Sequence, residues 1–465
     1  MSPRPPRRGP RSASPRSRAT EVRRTRIALA VGSLALATAC AGTPAESPGG
    51  TATPTGGDPT AATESAGAPD ESDGSDGSDG EDAAAPADPD APTGWGPTES
   101  ELAQARAEVA DWELDRLAGQ VIVGRYYGTD PSIPAEMVER LHLAGVSVTA
   151  ENAVDEAQVR ATTAAVSEAV AADGRDFPAV IGVDEEGGVV SHLRGIATGF
   201  PAFAEAGERI EEQSRTGRRV VREAAAALAL ELRDLGFTWV FAPVADVTIG
   251  SGDVTIGSRS PSTDPEIAAE AVSAAVAGYD DVGVVATVKH FPGHGGVTAD
   301  SHLTLPELGL SRAALEEREL VPFRAAAADG ATSVMMSHIA VDALAPGRPA
   351  SIASRVYRFL REDVGFEGVA ITDSMGMGAV SSRTRPVMQA LRAGADLVLM
   401  PIDSDVAHAT IVSAVEDGTL SRERLEDAAA KVVALQRWQQ RVAEQVPVPE
   451  DLAARVQEAA AALDG

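Results

Sequence analysis

Gly283-Val284-Val285-Ala286-Thr287-Val288 runs directly into Lys289-His290-Phe291-Pro292-Gly293-His294-Gly295-Gly296-Val297-Thr298-Ala299-Asp300-Ser301-His302. The first six residues carry no charge and no alternation of polar with apolar positions. They read as a strand buried on both faces. Pro292 and Gly293 then break the chain, so the residues beyond them form a loop. Three of the seven histidines fall there, with one of only two lysines in a chain that otherwise relies on arginine. A loop that dense in titratable groups, at the end of a buried strand, is where chemistry is placed.

Working outward, similar runs recur at 120–127, 146–150, 179–183, 238–247, 333–336, 369–372 and 397–400, which with 284–288 makes eight. Between them lie helix-like segments at 153–172, 217–235, 265–280, 311–329, 352–362, 385–393 and 406–417, and a last helix at 421–445 is expected to pack across the barrel. Apolar strands alternating with helices argue for a parallel sheet covered on its faces, and eight such units predict a single TIM-type (β/α)8 barrel over residues 98–465. Function should then sit just beyond the strand ends, on the C-terminal face. The polar residues there are Asp184-Glu185-Glu186 after strand three, Gly257-Ser258-Arg259 after strand four, the opening loop after strand five, Ser337-His338 after strand six, Asp373-Ser374 after strand seven and Asp403 after strand eight. On local sequence Asp373 reads as a nucleophile or general base in the barrel mouth, or as a cap of the next helix. His290 and His294 have the spacing of a metal pair, but Pro292 and Gly293 exclude the helix that such spacing requires. No metal or organic cofactor is expected.

The loop Lys289-His290-Phe291-Pro292-Gly293-His294-Gly295, continued by Val297-Thr298 and Asp300-Ser301-His302, resembles the signature of glycoside hydrolase family 3, in its single-domain β-N-acetylglucosaminidase branch. Ile371-Thr372-Asp373-Ser374-Met375 is similar to that family's nucleophile motif. The resemblance implies that Asp373 attacks the anomeric carbon, and that His302, oriented by Asp300, transfers protons where most glycosidases use a second carboxylic acid. It implies sugar-binding roles for Asp184, Arg259, Lys289 and His290. Arg259 could instead pair with Asp264, and His338 could support the site or touch the ligand. Val189 stands where family members carry arginine after the two glycines. The activity implied is a retaining exo-β-N-acetylglucosaminidase acting on peptidoglycan fragments. The alternatives are a phosphorylase on the same scaffold and a lipoprotein that binds wall fragments without cleaving them.

The rest of the chain bears on location. Residues 1–26 hold nine arginines and one acid, and 27–39 are apolar or small before Cys40, the only cysteine. Basic, apolar and small residues in that order form an export signal, too short to span a bilayer, which takes about 20 residues. The run from Leu34 to Cys40 resembles a lipobox, so residues 1–39 are expected to be a lipoprotein leader and Cys40 the lipidated residue. Arg23-Arg24 leave twin-arginine export open. Residues 40–97, rich in Ala, Gly, Pro, Ser and Asp and without Lys or Arg, read as a disordered acidic stalk. A net charge of −29 argues against nucleic acid as a partner, since phosphate would be repelled. The expected form is a monomer on the outer side of the membrane, facing carbohydrate.

Overall fold

The computed structural model describes residues 90–465 except 254, 298, 300, 302 and 303. The leader, Cys40, most of the stalk, and Asp300 and His302 lie outside the described residues.

The eight expected strands form one parallel sheet: β1 Ile122–Gly124, β2 Gly145–Val148, β3 Val180–Val183, β4 Trp239–Val240, β5 Val285–Phe291, β6 Ser333–Met336, β7 Val369–Thr372 and β8 Val398–Leu399. Each pairs with its neighbours in sequence. Val398 and Leu399 of β8 pair with Ile122 and Val123 of β1, and an Ile371–Leu397 bridge joins β7 to β8. The sheet thus closes as a barrel, the fold anticipated from the sequence. Strands β5, β6 and β7 are buried at every position. This explains their unbroken apolar runs, because one face fills the barrel and the other meets the helices.

The helices start where their caps are. Asp155, Asp264, Asp403 and Ser421 each accept a backbone N–H in the first turn of the helix that follows, and Pro265 adds a preset φ at the first turn of its helix. The segment 311–329 is not one helix. It divides into Arg312–Ala314, a π-helical turn Leu315–Glu319 and a helix Val321–Ala328. Pro322 removes one backbone donor, so the hydrogen-bond ladder restarts there. Helices Glu99–Ala110, Leu114–Gln120, Ser132–Leu141, Ala204–Glu212 and Leu452–Asp464 have no counterpart in the sequence reading. Residues 90–97, expected to end the stalk, belong to the packed body: Trp95 is buried, and Pro92 bridges to Thr98.

Helix Arg422–Gln445 crosses the N-terminal end of the barrel. Gln436 bonds to Gln120 and to the Pro178 carbonyl, and Gln439 to the Gly283 carbonyl, all just ahead of barrel strands. Beside it lies a buried ion cluster. Asp396 accepts from Arg361 at 2.7 Å, Arg424 at 2.8 Å and the Ala370 N–H at 3.0 Å. Burial alone would push this carboxyl up, but Lys431, Arg361 and Arg424 bring it down to about 2. The floor is therefore sealed, and the open end is the other one.

Candidate active site

At the C-terminal ends of the strands a cavity of about 420 Å³ opens. Asp184, Arg259, Lys289, His290 and Asp373, five residues read from the sequence as site groups, all line it. They come from four strands or their connections: Asp184 follows β3, Arg259 follows β4, Lys289 and His290 end β5, and Asp373 follows β7, as a barrel mouth requires.

Lys289 and His290 are adjacent in the chain yet both face the cavity. In a regular strand one of them would point away. The ladder between β5 and β6 pairs Val288 with Val334 but Phe291 with Met336, so β5 carries one extra residue there. This bulge turns the consecutive pair into the mouth. The Lys289–His290 peptide is cis.

Two buried acids that sequence reasoning did not single out hold these side chains. Glu186 accepts from Lys289 Nζ at 2.6 Å and from Arg259 at 2.7 and 2.8 Å through two parallel bonds. Asp184 takes a further bond from Lys289 Nζ at 2.6 Å. Burial pushes Glu186 up, but Lys289 and Arg259 outweigh it and bring the carboxyl to about 2. Arg259 is therefore committed to Glu186. Asp264 instead caps helix Pro265–Asp280, because its carboxylate reaches the Glu266 and Ile267 N–H groups. The second acid, Asp246, is fully buried. Its Oδ2 lies 2.6 Å from His290 Nδ1, and its Oδ1 accepts from the His290 and His294 backbone N–H groups. Burial raises this carboxyl, but His290, His294 and the His290 N–H together outweigh it, so Asp246 stays ionised. A carboxylate can only accept, so His290 Nδ1 donates. Nε2 is left on the side of Arg259, 3.5 Å away. Glu186 was visible in the Asp184-Glu185-Glu186 run. Asp246 was visible only as the single acid within the apolar run 238–247.

Asp373 caps no helix: the next, Gly378–Ser381, follows Met377. Its Oδ1 accepts from the Ser374 N–H at 2.7 Å. Burial raises the carboxyl, but His338, His290, the Ser374 N–H and Lys289 together hold it below its ordinary value of 3.8. His338 does not line the cavity. It is buried, with Nδ1 2.6 Å from Ser351 Oγ and Nε2 donating to the Ser374 carbonyl at 2.9 Å. It therefore steadies the backbone that carries Asp373. His294 binds Ser301 Oγ at 3.2 Å, tying the start of the signature loop to Ser301 near its end. Val189 sits at the tip of a hairpin, 72% exposed, and does not line the cavity.

The site therefore presents an ionised, half-buried carboxylate facing the cavity shared by a cation-and-carboxylate network. That is the equipment to hold a polyol and attack one carbon of it. Part of the wall is different: Met335, Met377, Leu399 and Met400 are apolar, and Arg125 also lines the cavity. Met400 has φ +47, a left-handed backbone that favours glycine. Gly376 leaves room for Arg125: a Cβ there would lie 3.1 Å from Arg125 Nη1.

Known proteins resemble this chain in sequence and in fold. The model of the glycosyl hydrolase family 3 N-terminal domain matches residues 115–435. Beta-hexosaminidase A of Pseudoalteromonas piscicida is 30% identical over 66% of this chain, which spans 55% of that protein's length. Beta-hexosaminidase LpqI of Mycobacterium tuberculosis is 34% identical over 63% of this chain and 74% of its own length. A solved family 3 β-N-acetylglucosaminidase from Paenibacillus sp. FPU-7 superposes with a TM-score of 0.67 at 31% identity, over 75% of this chain and 68% of that one. A family model that spans the whole run of barrel strands, and solved relatives with the same architecture, lead to one conclusion: the chain belongs to glycosyl hydrolase family 3.

Proposed function

We propose that the protein is a retaining exo-β-N-acetylglucosaminidase that removes terminal N-acetylglucosamine from peptidoglycan fragments. The observation that carries the reading is Asp373, half-buried yet held ionised, facing the cavity that Asp184, Lys289, His290 and Arg259 share. The network grips the hydroxyls at the far end of the sugar. Asp373 attacks the anomeric carbon and forms a glycosyl-enzyme, which water then opens.

The leaving oxygen needs a proton. Glu186 cannot supply it, since two cations keep it deprotonated. Glu319 has a carboxyl pushed up to about 8 by burial, but it lies outside the cavity lining, under Gly293 and Gly296. The resemblance of the loop to the family signature assigns the donor role to His302, with Asp300 fixing its ring. The methionine-lined wall supports the N-acetyl preference. C2 adjoins the anomeric carbon, so its substituent leaves the Asp373 side of the ring. There Met377, Leu399 and Met400 suit a methyl group, and Arg125 can donate to an amide carbonyl.

The export signal and Cys40 support a lipid-anchored enzyme outside the cell, where wall fragments are at hand. The test is release of free N-acetylglucosamine from purified muropeptides and from an aryl N-acetyl-β-glucosaminide, with and without phosphate. Wild type should release it in both buffers, and His302→Ala should lose about 10²- to 10⁴-fold on muropeptides. A sugar 1-phosphate formed only in phosphate would replace hydrolysis by phosphorolysis. No release under either condition, together with saturable fragment binding, would make this a binding protein.

A further inference from the structure

A second concavity, of about 750 Å³, lies between the connections that follow β6 and β7, at the same end of the barrel as the mouth. Four arginines line it: Arg348, Arg355, Arg385 and Arg392. No aspartate or glutamate does, in a chain with 69 acids against 40 bases. Many arginines elsewhere are paired with acids, as in Arg222–Asp281, Arg312–Asp363 and Arg441–Glu101, but among the described residues only Arg385 of these four has such a partner. Arg348 is held by the Ile352 carbonyl at 2.9 Å and the Gln389 side chain at 3.1 Å, both neutral. Arg385 has only Asp417, 3.5 Å away and half exposed. Among the described residues no carboxylate pairs with Arg355 or Arg392. Arg385 also holds a left-handed backbone, φ +47, ahead of helix Pro386–Ala393. Such strain in a residue other than glycine persists where the surroundings impose it.

We propose that this groove binds successive phosphates of a polyol-phosphate polymer lying beside the mouth. Guanidinium offers paired donors that match phosphate oxygens, and four of them from two connections suit repeated charges better than one ion. Ser354 and Thr384 add neutral donors on the same walls. A single strand can enter the groove, whereas a flat anionic bilayer meets only its rim. No aromatic residue lines it, so nothing stacks a nucleic-acid base.

The test measures binding of fluorescent poly(glycerol phosphate) to the full chain at low ionic strength, beside phosphatidylglycerol vesicles and single-stranded DNA. Wild type should bind the polymer, weakening steeply with salt. Arg355→Gln with Arg392→Gln should weaken binding about 10-fold or more, and Asp417→Asn, which frees Arg385, should tighten it about 2-fold. Thermal melting of each variant separates loss of binding from loss of fold. Absent polymer binding, or binding unchanged in a double variant that melts like wild type, would overturn the proposal. So would vesicles or DNA binding as tightly as the polymer.

Discussion

The barrel has a buried carboxylate–cation cluster at each end, and the chain's two lysines are divided between them. At the floor, Asp396 meets Arg361 and Arg424, with Lys431 nearby; at the mouth, Glu186 meets Lys289 and Arg259. Both carboxyls are brought to about 2 by the same balance, burial opposed by two or three cations. Titration alone therefore does not tell a structural cluster from a functional one. What differs is the remainder. Asp396 spends its oxygens on the two arginines and a backbone N–H beneath a covering helix. The mouth cluster borders a cavity of about 420 Å³, and Asp373, His290 and the free side of Asp184 face the same space.

The sharpest test of that contrast is a pair of isosteric changes. Asp373→Asn should lower kcat/KM on an aryl N-acetyl-β-glucosaminide on the order of 10⁴-fold or more while leaving the urea midpoint nearly unchanged. Asp396→Asn should do the reverse. It strands two guanidinium groups and should lose about 3–5 kcal/mol of stability, with turnover per folded molecule intact. If Asp396→Asn lowered turnover and spared stability, the division of labour between the two ends would be wrong.

A mixed case lies between them. Glu186→Gln should misplace Lys289 and Arg259 by small distances, raising KM and reducing kcat/KM about 10- to 10²-fold. Its stability loss should be smaller than that of Asp396→Asn, since the mouth is partly open to water. Steady-state kinetics and urea melts on one preparation decide it.

On the neutral wall, Arg125→Met should lower the preference for an N-acetylglucosaminide over the matching glucoside about 10-fold, with glucoside turnover unchanged. Equal losses on both would remove Arg125 from recognition of the acetamido group.

The smallest effects concern pH. Glu186 and Asp396 have folded values below their ordinary 4.5 and 3.8, so their stabilisation is full above those values and is lost as pH falls towards about 2. Acid unfolding should therefore begin below about pH 4.5, and Asp396→Asn should flatten it. Asp373 is held below 3.8, so any acid limb of kcat/KM above that pH belongs to another group.

The strands were legible because burial on both faces leaves a signal no neighbour can mask. Ser333–Met336 and Val369–Thr372 have the bounds that their apolar runs predicted. Several helices were less so. Glu99–Ala110 and Leu452–Asp464 are rich in alanine and charge and bury only a few residues each, so their pattern is faint. Among site groups, Asp373, Lys289 and His290 stood out as polar residues at the ends of apolar runs. Asp246 lay within such a run and gave no sign of its role, because that role consists of contacts to His290 and His294, more than 40 positions further on.

By itself the sequence determined the number and order of the strands and set Asp373 at the end of the seventh. Those follow from alternation, chain breaks and residue type, all of which act over a few positions. Only the tertiary structure decided that Arg259 serves Glu186 and not Asp264, that a bulge aims Lys289 and His290 together, and that His338 works from behind. A buried charge is stable only beside a partner that replaces its water. For Lys289 that partner arrives from 105 positions away, a distance at which no local pattern can name it.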